Sequence, residues 1–394
     1  MLTYVMVLSD LHLAPTFASA RAPYRDATRS PGPALARTIM EAVARAHRDR
    51  AELEIVLNGD VLDLDAPRCA RDIEEGRPAL DVRKEEGAVR AAIEALHAHG
   101  SFVNAVREAA WSGVQVFVLP GNHDAQVVLP GVREVLANAF SNGTRSVRDP
   151  LSPSPFPPAR EARIQFRSWI HRSGPVLVEH GQQYDPLCVA TRLGAVGGRL
   201  EATAGTVSSF YGPALLAGAD PFAIDPFVER RAIVRSLREA AVQGGGAPAL
   251  RCLRELLAAC AERAAGPDPA WLDAVGDEVK ASRDVLERHA ALAAPKAQPA
   301  LLLEAARGGH DYGADVDARL RSAMTAAAGL HGAQAVVVGH THAAMRSTLP
   351  NGSVLVNAGT WAPRPEPNAP AGSFAWLAHD GTRLLSAEVV EVRR

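Results

Sequence analysis

Five times in this chain a short apolar run ends in a cluster of carboxylate, imidazole or amide side chains. Tyr4-Val5-Met6-Val7-Leu8 runs into Ser9-Asp10-Leu11-His12, and Glu54-Ile55-Val56-Leu57 into Asn58-Gly59-Asp60-Val61-Leu62-Asp63. Val114 to Leu119 is broken by Pro120 and leads to Gly121-Asn122-His123-Asp124. Val176 to Val178 leads to Glu179-His180-Gly181, and Ala335 to Val338 to Gly339-His340-Thr341-His342. Short apolar runs bounded by Gly or Pro read as buried strands, and α/β proteins place chemistry just past strand ends. Singly each cluster is weak, because the same residues occur in ordinary turns and solvated strand ends. Together they predict a β-rich α/β domain whose strand ends can meet at one edge.

The rest of the chain fills in around these runs. Arg346 to Leu349 and Val354 to Asn357 flank an Asn351-Gly352 turn, and Ser373 to Leu377 and Arg383 to Val392 flank His379-Asp380-Gly381, which predicts two hairpins. Arg163 to His171 reads as one strand, joined to Val176 through Arg172-Ser173-Gly174-Pro175. Helices are predicted from Ala34 to His47 and, as a single long element, from Glu85 to Trp111. Residues 14–33, 65–84 and 142–160 read as loops or irregular rims. Residues 187–330 change character, being Ala-, Leu- and Arg-rich with helical spacing at Ala232 to Ala241 and Leu250 to Ala264, split by Gly244-Gly245-Gly246. We therefore expect one domain from 1–186 with 331–394, and a mainly helical insertion, 187–330, serving as a cap, a substrate contact or an oligomer contact. His47, His97, His99 and the pair His310-Asp311 are assigned to helix surfaces or loops.

A chain of 394 residues can bury the core of one large domain or two ordinary ones. Its 42 basic and 44 acidic residues nearly cancel, to −2, which argues against a nucleic-acid binder that relies on a broad basic surface. Cys69, Cys188, Cys252 and Cys260 are scattered without a Cys-x-x-Cys pair, as thiols of a reducing compartment would be. Met1 to Asp10 lacks the basic start and cleavage site of a signal sequence, so a cytoplasmic protein is expected. No stretch reads as a transmembrane segment: Ala202 to Ala219 is diluted by Gly, Ser, Thr and Pro, and peripheral membrane contact is left open without support. The oligomeric state is left open.

Asp10 and His12 lie two residues apart, as do His340 and His342, so on extended backbone each pair points to one side. Carboxylate and imidazole suit Mn²⁺, Fe or Zn²⁺. Gly59 gives the backbone room, and Asp60 can offer both oxygens to a pair of cations. Asp63 is expected to hold this loop from behind the ligands. Asp10, His12, Asp60, Asn122, His180, His340 and His342 are about the set a dinuclear centre needs when one carboxylate is shared. Two divalent cations, two aspartates and one hydroxide leave a charge of about +1, which attracts a phosphate oxygen and lowers the pKa of a bound water towards ~7. His123 is then spare, placed to act as general acid for a leaving oxygen, with Asp124 orienting it.

The order Asp-x-His, Gly-Asp-x-x-Asp, Gly-Asn-His-Asp, His-Gly, Gly-His-Thr-His resembles the calcineurin-like metallophosphoesterase superfamily. Here it is filled by Asp10-Leu11-His12, Gly59 to Asp63, Gly121 to Asp124, His180-Gly181 and Gly339 to His342. The resemblance implies a four-layer αββα sandwich. One metal would be held by Asp10, His12, Asp60 and His342, and the other by Asp60, Asn122, His180 and His340. It implies two divalent ions, manganese foremost with iron, zinc or nickel as alternatives. The implied reaction is in-line attack of metal-bound hydroxide on a phosphomonoester, phosphodiester or pyrophosphate, with His123 protonating the leaving group. The substrate would be a phosphorylated small molecule, a nucleotide or a lipid-linked phosphate. Leu8 to Leu13 and Gly59 to Asp63 look like the bacterial UDP-diacylglucosamine pyrophosphohydrolase branch, but Gln182 stands where that branch has an acid, so its lipid substrate is not carried over. The alternatives are a nuclease of the same superfamily and a non-catalytic scaffold that binds partners through the helical insertion.

Overall fold

The computed structural model describes residues 1–14, 31–64, 84–141, 163–185, 188, 195–196, 199–200, 269–293, 312–362 and 370–393. The strands are β1 Thr3–Leu8, β2 Glu52–Asn58, β3 Gln115–Leu119, β4 Ile164–Phe166, β5 Ile170–Ser173, β6 Val176–Glu179, β7 Ala195–Val196, β8 Arg199–Leu200, β9 Ala335–Val338, β10 Met345–Thr348, β11 Val354–Asn357, β12 Gly372–His379 and β13 Leu384–Val392. The helices are α1 Gly32–Asp49, α2 Glu85–Ala98, α3 Gly100–Trp111, α4 Pro130–Ser141, α5 Pro269–Val279, α6 Arg283–Ala290 and α7 Tyr312–His331.

Period-two alternation sorts each strand's side chains between two cores. Tyr4, Met6 and Leu8 of β1 join Ile55, Leu57, Val116 and Val118 on one face of the first sheet, against the apolar stripe Leu35, Ile39, Val43 and Ala46 of α1 and residues of α2 to α4. Val5, Val7, Val56, Phe117 and Leu119 face the other way and meet Val176, Val178, Ala335, Val337 and Val356 of the second sheet. The far face of that second sheet, with Ile170, Leu177, Val336, Val338 and Leu355, is covered by Leu272, Val275, Leu286, Leu320 and Met324 from α5, α6 and α7. The result is the four-layer αββα sandwich. The first sheet runs β13-β12-β1-β2-β3-β4 and the second β10-β11-β9-β6-β5. β1, β2 and β3 are adjacent and parallel, and so are β6 and β9, so the strands that carry the five polar clusters end in the same direction within each sheet.

Both predicted hairpins form, as β10–β11 and β12–β13. Two predicted elements are corrected. The Glu85 to Trp111 helix is broken at His99, whose backbone leaves helical geometry (φ −120°, ψ 41°) and whose buried Nε2 lies 2.9 Å from the carbonyl oxygen of Ala14. The Arg163 to His171 run is two strands: β4 pairs with β3 in the first sheet and β5 with β6 in the second. Of residues 187–330, the helices α5, α6 and most of α7 are described and serve as the outer layer on the second sheet. Ala232 to Ala241, Leu250 to Ala264, Ala202 to Ala219, His310-Asp311 and the 65–83 and 142–160 loops lie outside the described residues. Among those described, no helix is long and apolar enough to cross a membrane.

Candidate metal centre

Among the described non-glycine residues seven have positive φ, and five of them are Asp10, His12, Asp60, His340 and His342. A left-handed conformation costs such residues about 1–3 kcal/mol each and persists only where the surroundings enforce it. Here the chain must turn sharply at the strand end to bring a side chain back across the sheet edge, and the turns interlock. Asp10 N–H donates to the carbonyl oxygen of Gly59, His12 N–H to that of Asp60, and His340 N–H to Asp10 Oδ2 at 2.9 Å. Gly121 and Gly339 allow the close approach: a Cβ at Gly121 would collide with the carboxylate and amide of Asp60, and one at Gly339 with Ser9 Oγ and Asp10 Oδ2.

The seven expected ligands come together, all buried except half-buried His342. One group has Asp10 Oδ1 3.2 Å from His342 Nε2, which is 3.1 Å from His12 Nε2. In the other, Asn122 Oδ1 lies 3.3 Å from His180 Nε2 and 2.9 Å from His340 Nδ1. Asp60 Oδ2 stands between them, 3.2 Å from His180 Nε2 and 4.0 Å from His12 Nε2. Ligand atoms about 2.0–2.2 Å from a common ion lie roughly 3–3.5 Å from one another; the spacings of 2.9–3.3 Å match this, and the 4.0 Å from His12 Nε2 to Asp60 Oδ2 is longer.

The carboxylates are tied down on one oxygen each. Ser9 Oγ–H donates to Asp10 Oδ2 at 2.6 Å, while Asp10 Oδ1 is buried with His342 Nε2 3.2 Å away, as two donors to a shared cation would be. His123 N–H donates to Asp60 Oδ1 at 2.7 Å. Asp60 Oδ2 is thus the oxygen turned towards the histidines of both groups, while Oδ1 also carries the His123 N–H bond. His180 Nδ1 lies 2.8 Å from the Asn58 carbonyl oxygen, which leaves Nε2 for the centre. These residues fit two cations on their donor set, their spacing and the buried Asp10 oxygen turned towards His342.

Neighbouring charges shift the groups of the cluster in both directions. Burial works against ionised Asp10, but His180 and His342 outweigh it and hold the carboxyl at about 2. Burial likewise opposes ionised Asp60, yet His180 and His123 keep it well below the usual carboxylate range. Burial and the neighbouring His123 and His342 press His12 down to about 4. For His180 burial is outweighed by Asp60 and Asp10, which lift it to about 9.

The partner expected for His123 is also corrected. Its Nδ1 lies 3.1 Å from Asp63 Oδ1, and its ring meets that of His12 edge-on at 4.8 Å between centroids. Asp124 is instead a fully buried clamp for the loops, accepting from the N–H groups of Gly121, Asp60, Val61 and Leu62 at 2.7–3.2 Å. Burial first, then the charge of Asp60, push its carboxyl up to about 7. Ser9 and Asp185 are functional candidates that the sequence reading passed over. Asp185 Oδ2 lies 3.0 Å from His340 Nε2 and so fixes the ring with Nδ1 towards Asn122. The signal was present: the acid missing directly after His180-Gly181 arrives after the short 3₁₀ turn Gln182–Tyr184. Asp185, Cys188 and His340 also form a ligand-capable group, as do His12, Asp60 and His123.

No protein-family model and no curated protein matches the sequence. Among solved structures the chain is similar along 99% of its length to a dimetal phosphatase from Danio rerio, at 13% identity, 98% of that chain and a TM-score of 0.34. It is similar over the same share of its own length to the sulfate thiohydrolase SoxB from Thermus thermophilus in complex with glycerol, at 10% identity, 56% of that chain and a TM-score of 0.32. At such scores the geometry of the site, rather than the likeness, carries the functional reading.

Proposed function

We propose that the chain is a phosphoesterase that works with two divalent cations and hydrolyses a phosphomonoester, phosphodiester or pyrophosphate. The observation that carries this reading is one oxygen of Asp60 standing between two groups of buried ligand atoms, one from Asp10, His12 and His342 and one from Asn122, His180 and His340. When bound, such ions polarise a phosphoryl oxygen and bring the pKa of a water down towards ~7.

The chain's own work is to hold those ligands and to move one proton. Ser9, His123 N–H, Asn58 and Asp185 each fix a ligand side chain in the orientation that turns its donor atom inwards. Asp63 accepts at His123 Nδ1, so Nε2 is the atom from which a proton passes to the leaving oxygen. The side chains of His123 and His342 are 14% and 21% exposed, against 0–5% for Asp10, His12, Asp60, His180 and His340, and they mark the side from which a substrate enters. Manganese is the foremost choice of ion, with iron, zinc or nickel compatible with the same donors. A phosphorylated small molecule, nucleotide or lipid-linked phosphate is the substrate class, and a reducing, cytoplasmic setting belongs to the same reading.

The test is hydrolysis of bis-p-nitrophenyl phosphate and p-nitrophenyl phosphate by metal-stripped protein, with and without Mn²⁺. Turnover that depends on Mn²⁺ supports the reading. No turnover with two ions bound to each chain would turn it towards the scaffold.

A further inference from the structure

A second buried polar cluster sits on the helical side of the second sheet. Glu179 ends β6, Tyr184 closes the 3₁₀ turn that follows, His289 lies on α6 and His331 ends α7; all four are 5% exposed or less. Tyr184 O–H donates to both carboxylate oxygens of Glu179 at 3.0–3.1 Å. His289 Nε2 lies 3.2 Å from Glu179 Oε1 and 2.9 Å from Tyr184 Oη, and its Nδ1 lies 3.0 Å from His331 Nε2. Trp169 covers the His289 ring at 4.5 Å between centroids and stacks on Trp271. One proton arrangement joins the whole set: His331 Nε2–H donates to His289 Nδ1, His289 Nε2–H to Glu179, and Tyr184 O–H to Glu179.

Neither the hydrolytic reading nor simple stability accounts for this cluster. Burying a carboxylate with two imidazoles carries a desolvation cost that an apolar packing of the same volume avoids. Its place in the chain suggests what it does. Glu179 is bonded to His180, a ligand candidate, and Tyr184 to Asp185, whose carboxylate holds His340. The single imidazole of His289 thus touches both ends of the turn 179–185, within which Gly181 takes φ +106°. Asn58 Nδ2 ties the Glu179 carbonyl oxygen to the end of β2 at 3.0 Å, so the turn is fixed from the first sheet as well.

We infer that Glu179, Tyr184, His289 and His331 are positioning residues through which the helices of 269–331 hold the His180 and His340 half of the metal centre. This rests on the two-cation reading above and adds to it a mechanical link from the outer helical layer to one ion in particular. Outer partners of metal ligands are commonly worth 10–100-fold in affinity. The loss should fall on one ion and spare the one held by Asp10, His12 and His342.

The experiment is a Mn²⁺ titration of metal-stripped full-length protein by calorimetry, with electron paramagnetic resonance to report coupled pairs of ions. The proteins are the wild type, Tyr184→Phe, His289→Leu and, as a packing control on the same helix, Leu286→Ala. Tyr184→Phe removes one oxygen and is the mild variant should His289→Leu fold poorly. The expected result is two sites in the wild type and a roughly 10-fold or larger weakening of one site in Tyr184→Phe. The coupled signal should fall with it, while Leu286→Ala lowers the melting temperature and keeps both affinities. Unchanged affinities in Tyr184→Phe and His289→Leu would overturn the inference, as would an equal loss in Leu286→Ala. A wild type that binds fewer than two ions would instead overturn the two-cation reading itself, and the inference with it.

Discussion

At the scale of single residues, the corrected pairing of His123 with Asp63 changes what a mutation should do. His123→Ala is expected to keep its metals yet lose about 10²–10⁴-fold in turnover, most for esters with poor leaving groups, because only those need a proton. Asp63→Asn should share that dependence on the leaving group, whereas Asp124→Asn should chiefly destabilise the loops that its carboxylate gathers. Rates across a series of substituted phenyl phosphates separate these outcomes, and equal losses for all leaving groups would reject the acid role. The charge pattern also fixes a pH dependence. His180 in the metal-free protein is raised to about 9 by Asp60 and Asp10 against the effect of burial. A raised histidine contributes stability that is complete below its ordinary value of ~6.5 and is lost as the pH climbs through ~9. Asp124, raised to about 7, acts in the same direction but at lower pH, between ~4 and 7, while His12, lowered to about 4, has its effect only below the ordinary histidine range. The melting temperature of metal-free protein should therefore fall between pH 6.5 and 9, and His180→Gln should flatten that fall.

At the scale of elements, the strand ends were legible because an apolar run stopped by Gly, Pro or a polar cluster is a local signal. The left-handed turns that follow were not, since φ at Asp10, Asp60 or His340 is enforced by the neighbouring loop rather than by the residue itself. The break at His99 was illegible for a similar reason. Helical periodicity runs on through it, and at the break the His99 side chain meets the Ala14 carbonyl oxygen, far away in sequence. In Arg163 to His171 the apolar pattern carried no mark of the point at which the chain leaves one sheet for the other. The pairing of Asp63 with His123 likewise depends on how two loops cross. Sequence adjacency favoured Asp124, and the fold brought in a residue 60 positions away. A consequence follows for Gly121. Gly121→Ala would drive a methyl group into Asp60 and should abolish binding of both ions, as measured by metal content after dialysis, while far-ultraviolet circular dichroism stays near that of the wild type.

At the scale of the whole molecule, three cores among the described residues separate four layers, and the candidate metal centre lies where the strand ends of both sheets meet. The motifs revealed that edge and the αββα layering that the resemblance implied. They did not reveal that α5, α6 and α7, drawn from a stretch that reads as an insertion, cover the second sheet. Amphipathic periodicity says that a helix has an apolar face without saying which surface it covers. Met324 of α7 is fully buried in that layer, so Met324→Ala should cost about 2–5 kcal/mol in denaturant unfolding while both metals remain. A negligible cost would mean that the layer is dispensable to the domain.

The account stands most directly on where the ions sit, and anomalous diffraction from crystals grown with Mn²⁺ reads that without reference to any substrate. It predicts two peaks that share Asp60 Oδ2, one completed by Asp10, His12 and His342 and the other by Asn122, His180 and His340. A single peak, or a peak held by Asp185, Cys188 and His340 in place of the second, would contradict it.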